Sequence, residues 1–176
     1  MTLVAVRHLP TSWNRAGVIQ GRNDIPITPP DAEQRRHIRL TREKLDQLGP
    51  FEIVLCSRLQ RTRQTALAYG YAQPTEEALL DEFHFGPYEG TPKAGLEADL
   101  GDAWFHRPET LKLGESISEL EARIRHFLAA YSQYDRVLLF GHGCWLRALK
   151  AIHDSGQVRL MNQMAIENNQ FLIFTF

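Results

Sequence analysis

Cysteine is scarce in this sequence, and its spacing excludes the usual cysteine-based sites. The 176 residues contain only two cysteines, Cys56 and Cys144. Two such distant residues cannot build a disulfide framework, and no Cys-x-x-Cys pair is present to bind a metal or form a redox disulfide. We therefore expect a fold that does not depend on disulfides, in a protein of the reducing cytoplasm.

Long apolar runs and an excess of charge are also missing. No run approaches the roughly 18 residues of a membrane span, and the N-terminus lacks the pattern of a signal peptide. Twenty Lys and Arg residues nearly balance 21 Asp and Glu residues, which leaves a net charge of -1. Because the chain has no overall field to attract polyanions, we expect no nucleic-acid and no membrane partner. Any anion site must be local.

The hydrophobic pattern predicts an α/β fold. Runs rich in β-branched residues predict strands at 2–6, 51–56, 136–140 and 170–176, while helical periodicity predicts helices at 33–48, 59–69, 115–131 and after His142. With 43% hydrophobic residues, the chain is long enough for one domain, which we assign to residues 1–176. Alternating strands and helices favour a three-layer sandwich, in which helices cover both faces of a mostly parallel sheet and the C-terminal strand is an antiparallel edge.

Three of the predicted strands lead into reactive polar residues. The first ends at Arg7 and His8, the second is followed by Arg61, and the third is followed by His142. Since ligands of parallel sheets bind beyond the carboxyl ends of the strands, these side chains are predicted to converge. One such residue alone would be read as an ordinary strand end, but three together favour a functional site.

The predicted cluster is positively charged, because it combines two arginines, two histidines and helix N-termini. This chemistry suits a phosphoryl group. It does not suit a metal, since Arg7 and Arg61 stay protonated and would repel a cation. Neither GxxxxGK[ST] nor GxGxxG occurs, so no nucleotide-binding loop is indicated. We therefore expect neither a metal nor a cofactor.

A cysteine nucleophile is also disfavoured by spacing. A Cys-x5-Arg motif starting at Cys56 would need arginine at position 62, which is Thr62. Histidine is left as the candidate nucleophile.

Several sequence blocks together resemble the histidine phosphatase (phosphoglycerate mutase-like) superfamily. The blocks are RHLPTSWN from Arg7, SRLQRTRQTA from Ser57, DEFHFGPYEG from Asp81, GES from Gly114 and GHG from Gly141. They follow the family's order and span nearly the whole chain. The short segment 91–113 is most similar to the small broad-specificity and α-ribazole-type phosphatases, whereas mutases carry a longer insertion there.

The resemblance implies a role for each matching residue. His8 would be the nucleophile that takes the phosphoryl group, and Arg7, Arg61 and His142 would surround the phosphoryl oxygens. Glu82 would protonate the leaving oxygen and then deprotonate the attacking water. A further match, Asn14, would contact the phosphate.

The implied function is hydrolysis of a small phosphorylated metabolite through phosphohistidine. Two alternatives stay open at this stage: a phosphoglycerate mutase-type transferase, and a non-catalytic module that binds a phosphorylated ligand. The missing insertion disfavours the first, and the presence of both His8 and Glu82 disfavours the second. The sequence leaves the physiological substrate and the oligomeric state undetermined.

Some residues near the motifs have two readings. Leu9 replaces the glycine that usually follows the family's Arg-His pair, so its side chain could narrow the pocket or its backbone could bind phosphate less well. His84 and Trp104 could contact substrate or serve only for packing. Glu115 and Ser116 are interpreted as structural support and a helix cap.

Overall fold

The computed structural model describes residues 1–176 and contains a five-stranded sheet. Its strands are β1 (Thr2–Arg7), β2 (Ile53–Cys56), β3 (Thr75–Glu76), β4 (Arg136–Gly141) and β5 (Phe171–Thr175). They are arranged in the order β3-β2-β4-β1-β5, in which β1 to β4 run parallel and β5 pairs antiparallel with β1. The predicted mostly parallel sheet with an antiparallel edge strand is confirmed.

Helices cover both faces of this sheet. They are α1 (Ser12–Arg15), α2 (Ala32–Leu48), α3 (Gln60–Ala68), α4 (Lys93–His106), α5 (Ile117–Ala130) and α6 (Gly143–Ser155), with short 3-10 turns at Ala78–Leu80, Gly86–Tyr88, Pro108–Thr110 and Val158–Gln163. None of these helices has both the length and the apolar character needed to cross a bilayer.

Alternation along the strands divides the interior into two cores. On β1, Leu3 and Ala5 belong to the core formed with α4, α5 and α6, whereas Val4 and Val6 belong to the core formed with α2 and α3. Successive side chains of a strand point to opposite faces, so strands buried on both sides need apolar residues at every position. This confirms the predicted three-layer sandwich.

Two of the long helices begin at side-chain caps that the sequence provides. The Asp31 carboxylate accepts the backbone N–H of Gln34 at the start of α2, at 2.8 Å. Ser116 accepts the backbone N–H of Glu119 at the start of α5, at 3.1 Å, so the cap expected at this residue is present. Removing such a cap typically costs about 1 kcal/mol of stability.

Three elements, the four-residue α1, β3 and α4, were not predicted from the sequence. β3 has only two residues, both exposed, so it carries no readable pattern. In α4, glycine lowers helix propensity at two positions, and the helix is interrupted at Gly101, where φ is 46°. Its buried residues Leu96 and Trp104 nevertheless pack into the larger core, and α4 thereby forms one wall of the site described next.

Candidate active site

The site lies at the carboxyl ends of the central strands. The register pairs Arg7 of β1 with Gly141 of β4, and Cys56 of β2 with Phe140 of β4, so these strands end at the same edge of the sheet. A cavity of about 360 Å³ opens beside this edge. All the predicted site residues except His142 line it, namely Arg7, His8, Asn14, Arg61 and Glu82.

His8 is buried, with 2% of its surface exposed, and its ring is oriented by one hydrogen bond. Nδ1 lies 2.7 Å from the carbonyl oxygen of Leu9. Because that carbonyl can only accept, Nδ1 carries the proton and Nε2 keeps a free lone pair. Burial lowers the pKa of His8 well below its usual 6.5, and the charges of Arg61 and Arg7 lower it further. His8 is therefore a neutral imidazole with an available nucleophilic nitrogen.

Arg7 lies beside His8 and has an unpartnered donor. Its Nη1 donates to the carbonyl oxygen of Ile166 at 2.5 Å, whereas its buried Nε makes no hydrogen bond. Burial first, and the neighbouring Arg147 second, lower the pKa of Arg7 to about 10. The guanidinium packs so closely on Gly143 that a Cβ there would lie 3.1 Å from Arg7 Cζ, which explains glycine in the GHG block.

Arg61 is fixed by three hydrogen bonds. Nη1 and Nη2 donate to the carbonyl oxygens of Asn23 and Gly21, each at 2.7 Å, and Nε donates to His142 Nδ1 at 3.2 Å. Burial lowers the pKa of Arg61 to about 10. Each Nη carries a second N–H, so the fixed guanidinium still has donors for an anion in the cavity.

His142 lies behind Arg61 and does not line the cavity. Its Nδ1 accepts from Arg61, so Nε2 carries the proton and donates to Ser57 Oγ at 2.7 Å. Burial lowers the pKa of His142 well below 6.5, with Arg61 as the next cause. The ring centroids of His142 and His8 are 5.3 Å apart. In this structure both ring nitrogens of His142 are bonded within the protein, and the ring orients Arg61.

Glu82 is anchored to the beginning of α6. Oε1 accepts the backbone N–H groups of Phe83 and Trp145 at 2.9 and 3.0 Å, and Oε2 accepts that of Cys144 at 3.1 Å. The carboxylate thus has a fixed position in the same cavity as His8, and Oε2 has the greater free acceptor capacity.

The loop that carries Glu82 is supported by an ion-pair network around the buried Glu115. Arg123 Nη1 donates to the carbonyl oxygen of Asp81 at 2.6 Å, and Arg22 Nε donates to that of Glu82 at 3.2 Å. Both arginines also bind the carboxylate of Glu115, at 3.0 Å from Arg123 and 3.2 Å from Arg22. The supporting role expected for Glu115 is therefore present in the structure.

Two glycines allow the same loop to pack against the GES block. A Cβ on Gly86 would lie 2.7 Å from the backbone nitrogen of Gly114, and one on Gly114 would lie 2.4 Å from His84 Nδ1. Side chains cannot be accommodated at such distances, so glycine is required for this close approach.

Asn14 lines the cavity, and its side-chain oxygen is already engaged. Oδ1 accepts the backbone N–H of Thr11 at 3.1 Å within the cap of α1. The amide nitrogen has no partner in the chain and is available to a ligand.

Helix N-termini were expected to add donors for the anion, and protein carboxylates already take several of these N–H groups. Glu82 accepts those of Cys144 and Trp145 in the first turn of α6, and the Asp24 carboxylate accepts that of Gln60 at the start of α3, at 2.7 Å. Gly143, the first residue of α6, lines the cavity, and its N–H is not among those that Glu82 accepts.

The structure shows where Leu9, Trp104 and His84 lie relative to the cavity. Leu9 is fully buried in the core with α2 and α3, and its backbone N–H donates to Thr65 Oγ1 at 2.9 Å, so its side chain does not narrow the cavity. Trp104 lines the cavity and packs near Phe85, with ring centroids 6.2 Å apart. His84 does not line it.

Sequence reasoning missed several cavity residues, of which Arg147 is the most prominent. It lies on α6 one turn after Gly143, and its guanidinium donates to Asn162 Oδ1 at 3.1 Å. A signal was available, because a helix was predicted after His142 and Arg147 is the only cationic residue in its first turns. Lys93 and Gln20 also line the cavity, but they follow from no motif.

Neither cysteine is activated. Burial raises the pKa of Cys56 to about 11 and that of Cys144 to about 12. A nucleophilic cysteine needs the opposite shift. No three His, Cys, Asp or Glu side chains are grouped as metal ligands would be.

One cavity at the edge of the parallel sheet thus contains a buried neutral histidine, two arginines and a carboxylate. This combination of residues is typical of a phosphoryl-binding site. The model of the histidine phosphatase superfamily (branch 1) matches residues 3–176. The chain therefore belongs to this superfamily.

Named relatives include phosphatases. The chain is 34% identical over 157 residues to a provisionally named phosphoserine phosphatase 2 of Hydrogenobacter thermophilus, covering 84% of this chain and 75% of the relative. It is 28% identical over 153 residues to an adenosylcobalamin/alpha-ribazole phosphatase of Salmonella typhimurium, covering 81% and 74%. A 2,3-bisphosphoglycerate-dependent phosphoglycerate mutase of Methylorubrum extorquens is 25% identical over 188 residues, covering 98% and 88%.

Solved structures share the fold. The protein of open reading frame Rv3214 from Mycobacterium tuberculosis superposes with a TM-score of 0.82 at 25% identity, covering 99% of this chain and 91% of that one.

Proposed function

We propose that the chain hydrolyses phosphomonoesters of small metabolites through a phosphohistidine formed on His8. The observation that carries this proposal is the buried, neutral imidazole of His8, with its Nε2 lone pair free, in one cavity with Arg7, Arg61 and Glu82. The family membership supports the same chemistry.

In the first step, the Nε2 lone pair of His8 attacks phosphorus and the bond to the leaving oxygen breaks. Arg7 and Arg61 stabilise the charge on the equatorial phosphoryl oxygens, which is the main contribution a protein makes to a loose phosphoryl-transfer transition state. Glu82 gives its proton to the leaving oxygen. The bond from His8 Nδ1 to the Leu9 carbonyl stabilises the positive charge that develops on the ring.

In the second step, water attacks the phosphohistidine. The Glu82 carboxylate accepts a proton from this water, phosphate leaves, and the electron pair of the broken P–N bond returns to Nε2. The bonds that fix Glu82 to α6 keep one carboxylate in place for both steps.

The segment between the DEFHFGPYEG and GES blocks favours hydrolysis over mutase chemistry. Residues 91–113 contain only α4 and one short 3-10 turn, with no longer insertion over the cavity. Relatives named phosphatases support the same choice. A non-catalytic binding module is disfavoured because His8 and Glu82 both line the cavity.

We further propose that residues 1–176 form a single histidine phosphatase domain that works without metal in the cytoplasm. The match over residues 3–176 supports the first point, the arginines as the source of positive charge support the second, and two free, buried cysteines support the third.

The test is substitution of the proposed nucleophile. His8→Ala should abolish turnover of p-nitrophenyl phosphate and remove an acid-labile, base-stable phosphohistidine that rapid quenching detects in the wild type. His126→Ala, at an exposed position of α5, is the matched control and should keep both. Wild-type kcat in His8→Ala, or labelling that survives in this variant, would show that another group is the nucleophile.

A further inference from the structure

Arg61 is held by a segment that has no regular secondary structure of its own. Its two Nη atoms donate to the carbonyl oxygens of Gly21 and Asn23, each at 2.7 Å, and residues 21–24 lie outside every helix and strand. The position of the guanidinium in the cavity therefore depends on what fixes this segment.

The carboxylate of Glu89 binds the segment through both of its oxygens. Oε1 accepts the backbone N–H of Arg22 at 3.1 Å, and Oε2 accepts an N–H of the Asn23 side-chain amide at 3.1 Å. A third bond, from the Phe85 N–H to Oε1 at 3.0 Å, ties the carboxylate to its own loop. Glu89 itself does not line the cavity.

The bond to Arg22 acts on the same peptide group that holds Arg61. The N–H of Arg22 and the carbonyl of Gly21 belong to one planar peptide unit, so Glu89 binds one side of this unit and Arg61 binds the other. A peptide between an anion and a cation is polarised by both, which strengthens both hydrogen bonds. The packing is so close that a Cβ on Gly21 would overlap Glu89 Oε1, and this explains glycine at position 21.

The charge of Glu89 also acts on Arg61 from a distance. Burial lowers the pKa of Arg61, and Glu89 is among the carboxylates whose charge opposes this lowering. A carboxylate paired directly with Arg61 would compete with the phosphoryl group for its N–H donors. One that acts through a peptide unit balances part of the charge and leaves the remaining donors free.

We propose that Glu89 is a positioning residue for phosphoryl transfer: by holding residues 21–23, it fixes the Arg61 guanidinium where the transition state needs it. This inference rests on the proposed phosphatase function, because the reaction that it supports is the one proposed for this cavity.

The first test is Glu89→Ala. Without the carboxylate, the segment can shift and Arg61 shifts with it, and a displacement of about 1 Å in a catalytic group can cost about 100-fold in rate. kcat/KM for p-nitrophenyl phosphate should fall by about 10- to 100-fold. Vanadate, which takes the five-coordinate geometry of the transition state, should inhibit with a Ki raised by a similar factor. Glu89→Gln keeps an acceptor for the Arg22 N–H and should give an intermediate loss.

A double-mutant cycle with Arg61→Lys shows whether the effect passes through Arg61. Lysine keeps the positive charge but lacks the planar fork that binds both carbonyls, so Glu89 has little left to position. Glu89→Ala should therefore lower kcat/KM by less than about twofold in the Arg61→Lys background. If melting curves show that Glu89→Ala is unfolded, Glu89→Gln is carried through the same cycle.

Glu52→Ala is the matched control. Glu52 Oε1 also accepts two backbone N–H groups, from Asp135 at 2.6 Å and Arg136 at 2.9 Å, but it does so at the amino end of β4, opposite to the site. This variant should lower the unfolding midpoint and leave both kcat/KM and the Ki of vanadate unchanged.

The outcomes separate the two proposals. An unchanged kcat/KM in Glu89→Ala, or a loss that is equally large with Arg61 and with Arg61→Lys, overturns the positioning role and leaves the phosphatase function in place. The second of these results would assign the effect to the loop of Phe85 and Glu82. A wild type that neither hydrolyses p-nitrophenyl phosphate nor forms a phosphohistidine overturns the phosphatase function itself.

Discussion

Replacing Glu82 by Gln should test whether Glu82 is the general acid, because the loss of rate should then depend on the leaving group of the substrate. A glutamine side chain at this position has no acidic proton, so it cannot protonate the leaving oxygen. An alkoxide is a poor leaving group without protonation, whereas p-nitrophenolate leaves readily. General acid catalysis contributes about 10²–10⁴ in rate, so alkyl phosphates should slow by about that factor and p-nitrophenyl phosphate far less.

The structure also sets the stability cost of this substitution. The amide oxygen of the new side chain can accept the N–H groups of Phe83 and Trp145 as Oε1 does, but the amide nitrogen would then face the N–H of Cys144. One buried hydrogen bond is lost and a donor is left unsatisfied, which costs about 1–3 kcal/mol. This loss of stability lowers the unfolding midpoint, but its effect on the reaction rate is the same for all substrates.

The assay must isolate phosphorylation of His8. Because hydrolysis of the phosphohistidine can limit kcat, and Glu82 would act there as base, single-turnover phosphorylation rates are the correct measure. Glu89→Gln is the matched control: its carboxylate also accepts backbone N–H groups, from Phe85 at 3.0 Å and Arg22 at 3.1 Å, but it does not line the cavity. It should show no dependence on the leaving group.

Equal losses for both leaving groups in Glu82→Gln would refute this reasoning. Glu82 would then only position the cavity, and another group would supply the proton. A leaving-group dependence in Glu89→Gln would assign the acid to Glu89 instead.

Two further predictions follow from the charges of the site. Activity on p-nitrophenyl phosphate should persist in EDTA, because Arg7 and Arg61 supply the positive charge; a loss that Mg²⁺ or Zn²⁺ reverses would contradict this. The pKa of His8 is lowered in the folded protein, so below its usual 6.5 the unfolded chain binds a proton that the folded chain does not, and stability falls as the pH drops through this value. Denaturant unfolding at pH 7 and pH 5.5 should show this loss of stability. In His8→Asn, the difference in unfolding free energy between the two pH values should be smaller by about 1 kcal/mol. An unchanged pH dependence in this variant would mean that His8 is protonated in the folded state.

Local sequence patterns were sufficient to predict most of the fold and the centre of the site. Apolar β-branched runs are short-range signals, so the strands that became β1, β2, β4 and β5 were found with small errors at their ends. The position of reactive residues after those strands was enough to predict that His8, Arg61 and His142 converge, because parallel strands place their carboxyl ends together.

Only the tertiary structure decided how the convergent residues are used. Sequence position does not specify a partner, so it could not reveal that His142 bonds to Arg61 and Ser57 instead of lining the cavity, or that Glu82 takes the N–H groups of α6. The same holds for Leu9, whose side chain turns into the core, and for Arg147, whose unpartnered Nε is a property of its surroundings. The chain's own periodicity determines its elements, whereas burial, hydrogen-bond partners and local charge arise from residues far apart in sequence and exist only once the chain has folded.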